Sequence, residues 1–147
     1  MNRLLLIRNL AVWLCIAQMQ ALISGISHCS PHHIPSFVLL VTSYNNERYV
    51  ERNLQSLMEQ RSSRPYKIIY IDDCSTDSTG RLVDQFVTRH SLPSSFIEVV
   101  HNIKRKGTAL ENIYTTVHSS IPDDAVVVSI DGDDMLAHKG VLERLEK

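Results

Sequence analysis

Two acidic clusters hold the residues best suited to chemistry. Ser129-Ile130-Asp131-Gly132-Asp133-Asp134-Met135 sets three carboxylates around one glycine, and Asp72-Asp73-Cys74-Ser75-Thr76-Asp77-Ser78-Thr79 sets three more among hydroxyls. Neighbouring carboxylates repel one another, so each cluster needs a cation, hydrogen bonds or water to compensate. A hard divalent cation, Mg²⁺ or Mn²⁺, suits oxygen donors and commonly takes one or two protein carboxylates, with water and phosphate completing its shell. A plainer account is open for each cluster alone: Asp131 to Asp134 as a strand-ending turn, and Asp72 to Thr79 as a loop whose side chains cap a helix.

The elements around the clusters decide between these accounts. Phe37 to Thr42 (FVLLVT), Lys67 to Asp72 (KIIYID), Phe96 to Val100 (FIEVV) and Ala125 to Ile130 (AVVVSI) are short apolar, β-branched runs that read as strands. A helical pattern follows each. Val50, Leu54, Leu57 and Met58 come first, with Asn45 or Asn46 as N-cap and Glu47 in the first turn. Leu82, Val83, Phe86 and Val87 form the next apolar face with Gly80 near its start; Leu110, Ile113, Tyr114 and Val117 form the third, and Val141, Leu142 and Leu145 begin the fourth. Such alternation predicts an α/β fold, a mainly parallel sheet with flanking helices. Right-handed crossovers then bring the strand C-terminal ends to one edge, where open α/β sheets bind ligands. Thr42 and Ser43, Asp72 and Asp73, and Asp131, Asp133 and Asp134 all fall on that rim, and capping alone does not require so many carboxylates to converge.

The chain has 147 residues with 15 basic and 16 acidic side chains, a balance with no general pull toward nucleic acid or anionic membranes. Cys15, Cys29 and Cys74 are far apart and form no CxxC pair, which argues against a disulfide framework or a cysteine zinc site. His28-Cys29-Ser30-Pro31-His32-His33 reads as part of a solvated linker over residues 28–36. Neither GxGxxG nor GxxxxGK[ST] is present, so the phosphate-cradling turns of dinucleotide folds and P-loops are missing. Residues 1–27, with Arg3, Arg8 and the apolar run Leu10 to Ala17, have the outline of a signal anchor that tethers the domain to a membrane; the alternative is a signal peptide cleaved near Ser27, giving a secreted protein.

Three stretches together resemble glycosyltransferase family 2, which has the GT-A fold. FVLLVTSYNNERYVERNLQSLMEQ is similar to that family's first strand and helix, YKIIYIDDCSTDSTGRLVDQF to its second strand with the Asp-Asp-x-Ser-Thr-Asp loop, and VVVSIDGDDMLAHKGVLERL to the strand leading into its DxD motif, here Asp131-Gly132-Asp133. The resemblance covers residues 37–147 and implies a Rossmann-like, nucleotide-sugar-binding domain that is incomplete here, truncated after the DxD motif. It implies nucleotide contacts from Thr42, Tyr44, Asp72, Asp73, Lys106 and Asp131, with Thr42 and Asp73 at the base, and metal contacts from Asp131, Asp133 and Asp134, with Asp133 or Asp134 nearest the cation. HNIKRKGTALEN resembles the family's basic segment, so Lys104, Arg105 or Lys106 would face the diphosphate.

The implied function is transfer of a sugar from a UDP-linked or similar nucleotide-sugar to an acceptor, with Mn²⁺ or Mg²⁺ as cofactor. A cation held by carboxylates would stabilise the charge that develops on the leaving diphosphate. Relatives place the base and the acceptor site in the second half of the domain; Glu143 and Glu146 read as surface groups of an amphipathic helix, so no catalytic base is named. Two alternatives remain: an inactive nucleotide-sugar-binding module or remnant lacking the acceptor half, and a non-enzymatic interaction domain whose acidic loops only cap helices.

Overall fold

The computed structural model describes residues 36–147. The expected signal segment over residues 1–27 and all but the last residue of the linker over residues 28–36 lie outside the described residues. Strands and helices alternate: β1 (Phe37–Ser43), α1 (Val50–Met58), β2 (Tyr66–Asp72), α2 (Thr79–Arg89), β3 (Ile97–His101), α3 (Ala109–Ser120), β4 (Val126–Asp131) and α4 (Val141–Leu145). The four strands pair in parallel in the order β3-β2-β1-β4. This is the expected parallel α/β arrangement, and its central strand β1 is buried along its whole length.

Strand alternation divides the core in two. Phe37, Leu39 and Val41 of β1 join Ile68 and Tyr70 of β2, Ile97 and Ile130 on the face covered by α1, α2 and α4, where Val50, Leu54, Leu57, Val83, Phe86 and Leu142 pack. Val38, Leu40, Ile69 and Ile71 point to the other face and meet Ile113 and Val117 of α3. Each fully buried Leu, Ile or Phe contributes roughly 1.5–3 kcal/mol, which holds both faces of β1 closed.

Three expectations need correction. Neither Asn45 nor Asn46 caps α1, and Glu47 is not in its first turn: the N-cap position is Tyr49, with no side-chain cap, the first turn holds Glu51, and the asparagine side chains bond Thr76 and Ser43 instead. On α3, Leu110 and Tyr114 are 73% and 63% exposed, since Asn112 shares the buried side with Ile113 and Val117 and turns the helix away from the stripe that spacing suggests. On α4, Leu142 is buried but Leu145 is 53% exposed.

Candidate functional site

The chain runs outward from β1 to β2 and β3 and returns to the other side of β1 as β4, so the strand order reverses between β1 and β4. A crevice opens at the carboxyl ends of such a pair. Thr42 and Asp131 face each other there in register, and Ser43 is paired with Asp72 on the other side. Backbone bonds tie the rim together: Gly132 N–H donates to Thr42 O at 2.9 Å, Asp73 N–H to Ser43 O at 2.8 Å, and Asn102 N–H to Asp72 O at 2.9 Å. The resulting pocket has a volume of about 310 Å³ and is walled by Thr42, Tyr44, Asp73, Arg105, Asp131 and Asp133. Asn112 and the start of α3, at Thr108 and Ala109, also line it. The α3 terminus brings free N–H groups and a positive helix end, a favourable place for an anion.

The loop after β1 is laced to the loop after β2. Asn45 adopts a left-handed φ of 54°, and its Oδ1 accepts from Thr76 N–H at 2.8 Å. Asn46 N–H donates to Thr79 Oγ1 at 2.8 Å, while Ser78 N–H donates to Glu47 Oε2 at 3.0 Å. Ser78, at the N-cap position of α2, makes no side-chain cap, and Asp77 Oδ1 accepts from Thr79 N–H at 2.9 Å, so this loop chiefly braces the loop after β1, which carries Tyr44 at the pocket. Arg105 lies over the Tyr44 ring, its guanidinium carbon 3.7 Å from the centroid, a cation–π contact across the pocket.

Asp73 is the best-held group of the site. Its Oδ1 accepts from Asn102 Nδ2 at 2.7 Å and Lys106 N–H at 3.0 Å, and its Oδ2 accepts from Gly107 N–H at 3.1 Å. Burial pushes the carboxyl up, but the bonds from Lys106, Asn102, Asn112 and Gly107 outweigh it and take the group down to about 2. Three hydrogen bonds from protein thus hold the carboxylate, with the Asn112 amide beside them. Beside it Thr42 is 7% exposed, and its hydroxyl finds no hydrogen-bond partner among the described residues. A buried hydroxyl left unpaired costs about 1–3 kcal/mol, so a ligand that bonds it is favoured.

Of the residues singled out in the sequence, Thr42, Tyr44, Asp73, Asp131 and Asp133 meet at this pocket. Asp72 does not line it: its carboxylate accepts from Ser75 N–H at 3.2 Å and lies 3.4 Å from His101 Nδ1, in a second depression with Asp77 and Asp84. Alternation along β2 sends Asp72 to the α2 side and Asp73 to the α3 side. Lys106 contributes its backbone N–H to Asp73, and among the three basic residues it is Arg105 whose side chain lines the pocket. Asp134 lies in a neighbouring groove with Met135 and Leu136. Asn102 and Asn112 were missed; Asn102 immediately follows β3 and so sits on the same rim, which is the signal that would have found it.

Among the described residues no three Asp, Glu, His or Cys side chains gather into a cation cage. Asp131 and Asp133 supply two exposed, hard carboxylates at one wall. That donor set fits Mg²⁺ or Mn²⁺ shared with a phosphate-bearing ligand and does not fit a cage built by protein alone. Gly132 lets the turn lie close: a Cβ there would come within 2.6 Å of Ser43 Cβ and 2.7 Å of Asn46 Nδ2.

Residues 38–147 match the family model described as Glycosyl transferase family 2. The teichoic acid poly(glycerol phosphate) polymerase of Staphylococcus epidermidis is 29% identical over 112 residues, covering 74% of this chain and 14% of that protein. The poly(ribitol-phosphate) beta-N-acetylglucosaminyltransferase TarS of Staphylococcus aureus is 33% identical over 63 residues, covering 42% of this chain and 11% of the relative. The chain thus spans a small part of the curated relatives it matches. In structure, TarS 1–349 superposes with a TM-score of 0.60 and 26% identity over 75% of this chain and 31% of that one, and TarS 1–349 has also been solved with UDP and with UDP-GlcNAc. The mannosyltransferase PcManGT from Pyrobaculum calidifontis, solved with GDP-Man and Mn²⁺, has a TM-score of 0.61 and 22% identity over 80% of this chain and 32% of that one, a likeness of fold. The fold is that of GT-A glycosyltransferases.

Proposed function

Because the chain belongs to glycosyl transferase family 2, we propose that its rim pocket binds the nucleotide part of a nucleotide-sugar donor and that the chain serves sugar transfer from it. The donor is UDP-linked in this reading, in keeping with the UDP and UDP-GlcNAc held by TarS. The observation that carries it is the rim pocket in which Thr42, whose buried hydroxyl finds no partner among the described residues, lies with Asp73, Asp131 and a helix N-terminus.

The residues divide the work by chemistry. Thr42 and Asp73 take the polar edge of the base, and Tyr44, one face of its ring covered by Arg105, lines the pocket beside them. The N-terminus of α3 and the Arg105 guanidinium offer positive charge to the diphosphate. Asp131 and Asp133 hold the cation. When bound, Mn²⁺ or Mg²⁺ supplies Lewis-acid stabilisation of the leaving diphosphate. All three pocket carboxylates are committed to donor or cation, so none is named as the base.

Calorimetric titration with UDP, with and without Mn²⁺, tests the proposal. Metal-dependent binding is expected in the wild type and lost in Asp133→Ala, while Asp134→Ala retains most of it because Asp134 lines the neighbouring groove and not this pocket. Equal metal-dependent affinity in Asp133→Ala and wild type would overturn the assignment. Membrane tethering by residues 1–27 belongs to the same proposal, and a mature N-terminus at His28 found by mass spectrometry would refute it; among the described residues no helix is long and apolar enough to cross a membrane.

A further inference from the structure

A polar stripe flanks the apolar stripe of α1. Asn53 and Ser56 stand at i and i+3 on one side of α1, Gln60 comes two residues after the helix ends, and all three grip the segment that follows β4. Asn53 Nδ2 donates to Asp131 O at 3.3 Å and to Asp134 O at 2.8 Å. Ser56 Oγ accepts from Leu136 N–H at 3.1 Å. Gln60 Nε2 donates to His138 O at 2.9 Å, and its Oε1 accepts from Val141 N–H at 3.2 Å, at the start of α4. Every one of these contacts is to backbone.

Asn53 has the most direct claim on the site. Its two acceptors are the carbonyls at either end of the acidic turn, which is closed from within by Asp134 N–H donating to Asp131 O at 3.0 Å. The residue is 1% exposed, and its Oδ1 finds no partner among the described residues. A buried acceptor left unmade is unfavourable, so packing alone would be better served by an apolar residue of the same shape. What the amide gives in return is the fixed separation of two carbonyls that bracket Asp133.

We infer that Asn53 is a positioning residue: by bridging the Asp131 and Asp134 carbonyls it sets the spread of the Asp131 and Asp133 carboxylates, and with it how tightly the pocket takes a divalent cation alongside a nucleoside diphosphate. The inference rests on the donor-binding proposal for the cation, while its claim on the turn stands independently of that proposal.

Asn53→Leu and Asn53→Ala in the full chain separate positioning from packing. Leucine fills the space and cannot donate; alanine leaves room for a water that can donate to the same two carbonyls. Positioning predicts that the Mn²⁺ concentration giving half of the metal-dependent gain in UDP affinity rises about tenfold in Asn53→Leu and less in Asn53→Ala, in the range seen when partners that orient metal ligands are lost. Packing predicts the reverse order, because alanine removes more volume. The core variant Val83→Ala, on α2 and with no bond to the turn, should lower the melting temperature and leave the Mn²⁺ requirement unchanged.

Amide hydrogen exchange at Asp134, read without metal or nucleotide, should accelerate in both Asn53 variants and not in Val83→Ala. Wild-type exchange and an unchanged Mn²⁺ requirement in the Asn53 variants would overturn the inference, as would a larger shift in alanine than in leucine. If wild type shows no metal-dependent UDP binding, the donor-binding proposal falls, and the exchange measurement alone then decides whether Asn53 sets the turn. If Asn53→Leu does not fold, Asn53→Ala against Val83→Ala carries both readouts.

Discussion

Replacing Asp73 with asparagine tests the physical core of the site in a way that needs no ligand. The carboxylate collects Asn102 Nδ2, Lys106 N–H and Gly107 N–H, and so closes the loop after β3 onto the end of β2. A carboxyl whose ordinary value of 3.8 falls to about 2 in the fold contributes about 2 kcal/mol of stability at pH 7. Since the folded value lies below the unfolded one, that stability is fully present above the unfolded value and is lost as pH falls through the folded one. By the same linkage about 1 kcal/mol remains at pH 3. Asparagine cannot ionise, and its amide N–H₂ would face a donor where Oδ2 faced Gly107 N–H, which adds about 1 kcal/mol to the loss. Urea denaturation of Asp73→Asn should therefore show a deficit of about 2–3 kcal/mol at pH 7, shrinking by about 1 kcal/mol at pH 3. A deficit that is under about 0.5 kcal/mol at pH 7, or that stays constant between pH 7 and pH 3, refutes the account of Asp73 as a charged loop clasp.

Two further outcomes follow from close contacts near the rim. Gly132→Ala places a methyl within 2.6 Å of Ser43 Cβ and should cost about 1–3 kcal/mol by overpacking, together with loss of metal-dependent UDP binding; chemical denaturation and calorimetry on the same variant check both. His101 Nε2 lies 3.1 Å from Asp84 Oδ1 and its Nδ1 3.4 Å from Asp72 Oδ2. Burial pushes the imidazole down, but the bonds to Asp84 and Asp72 outweigh it and hold His101 above its ordinary 6.5. Its stabilising contribution is then present below pH 6.5 and lost as pH rises through the folded value; an NMR titration of the ring proton should show a midpoint above 6.5 that falls in Asp84→Asn.

How much of this was legible beforehand differs from residue to residue. The four strands could be read because each is a short apolar run whose neighbours are polar, and burial on both sheet faces demands such a run. That Thr42, Asp73 and Asp131 share a rim followed from chain direction and crossover handedness alone. Even the separation of Asp72 from Asp73 had a sequence signal, since successive strand residues point to opposite faces and Tyr70 and Asp72 share parity. The exposed face of α3 had no such signal: its apolar spacing also fits Leu110 and Tyr114, and only the buried contact of Asn112 with Asn102 fixes which side meets the sheet.

By itself the sequence determined the parallel α/β order, the acidic rim and the candidate donor residues, because periodicity and chain direction are local properties. Tertiary structure decided which members of each cluster meet at the pocket. Arg105 rather than Lys106 presents its side chain to the pocket, Asp133 rather than Asp134 faces it, and Asn53 reaches the acidic turn across 78 and 81 positions of sequence. Loop side chains have no fixed period, and hydrogen bonds between distant segments depend on where the packed helices come to rest, so these choices exist only once both faces of the sheet are covered.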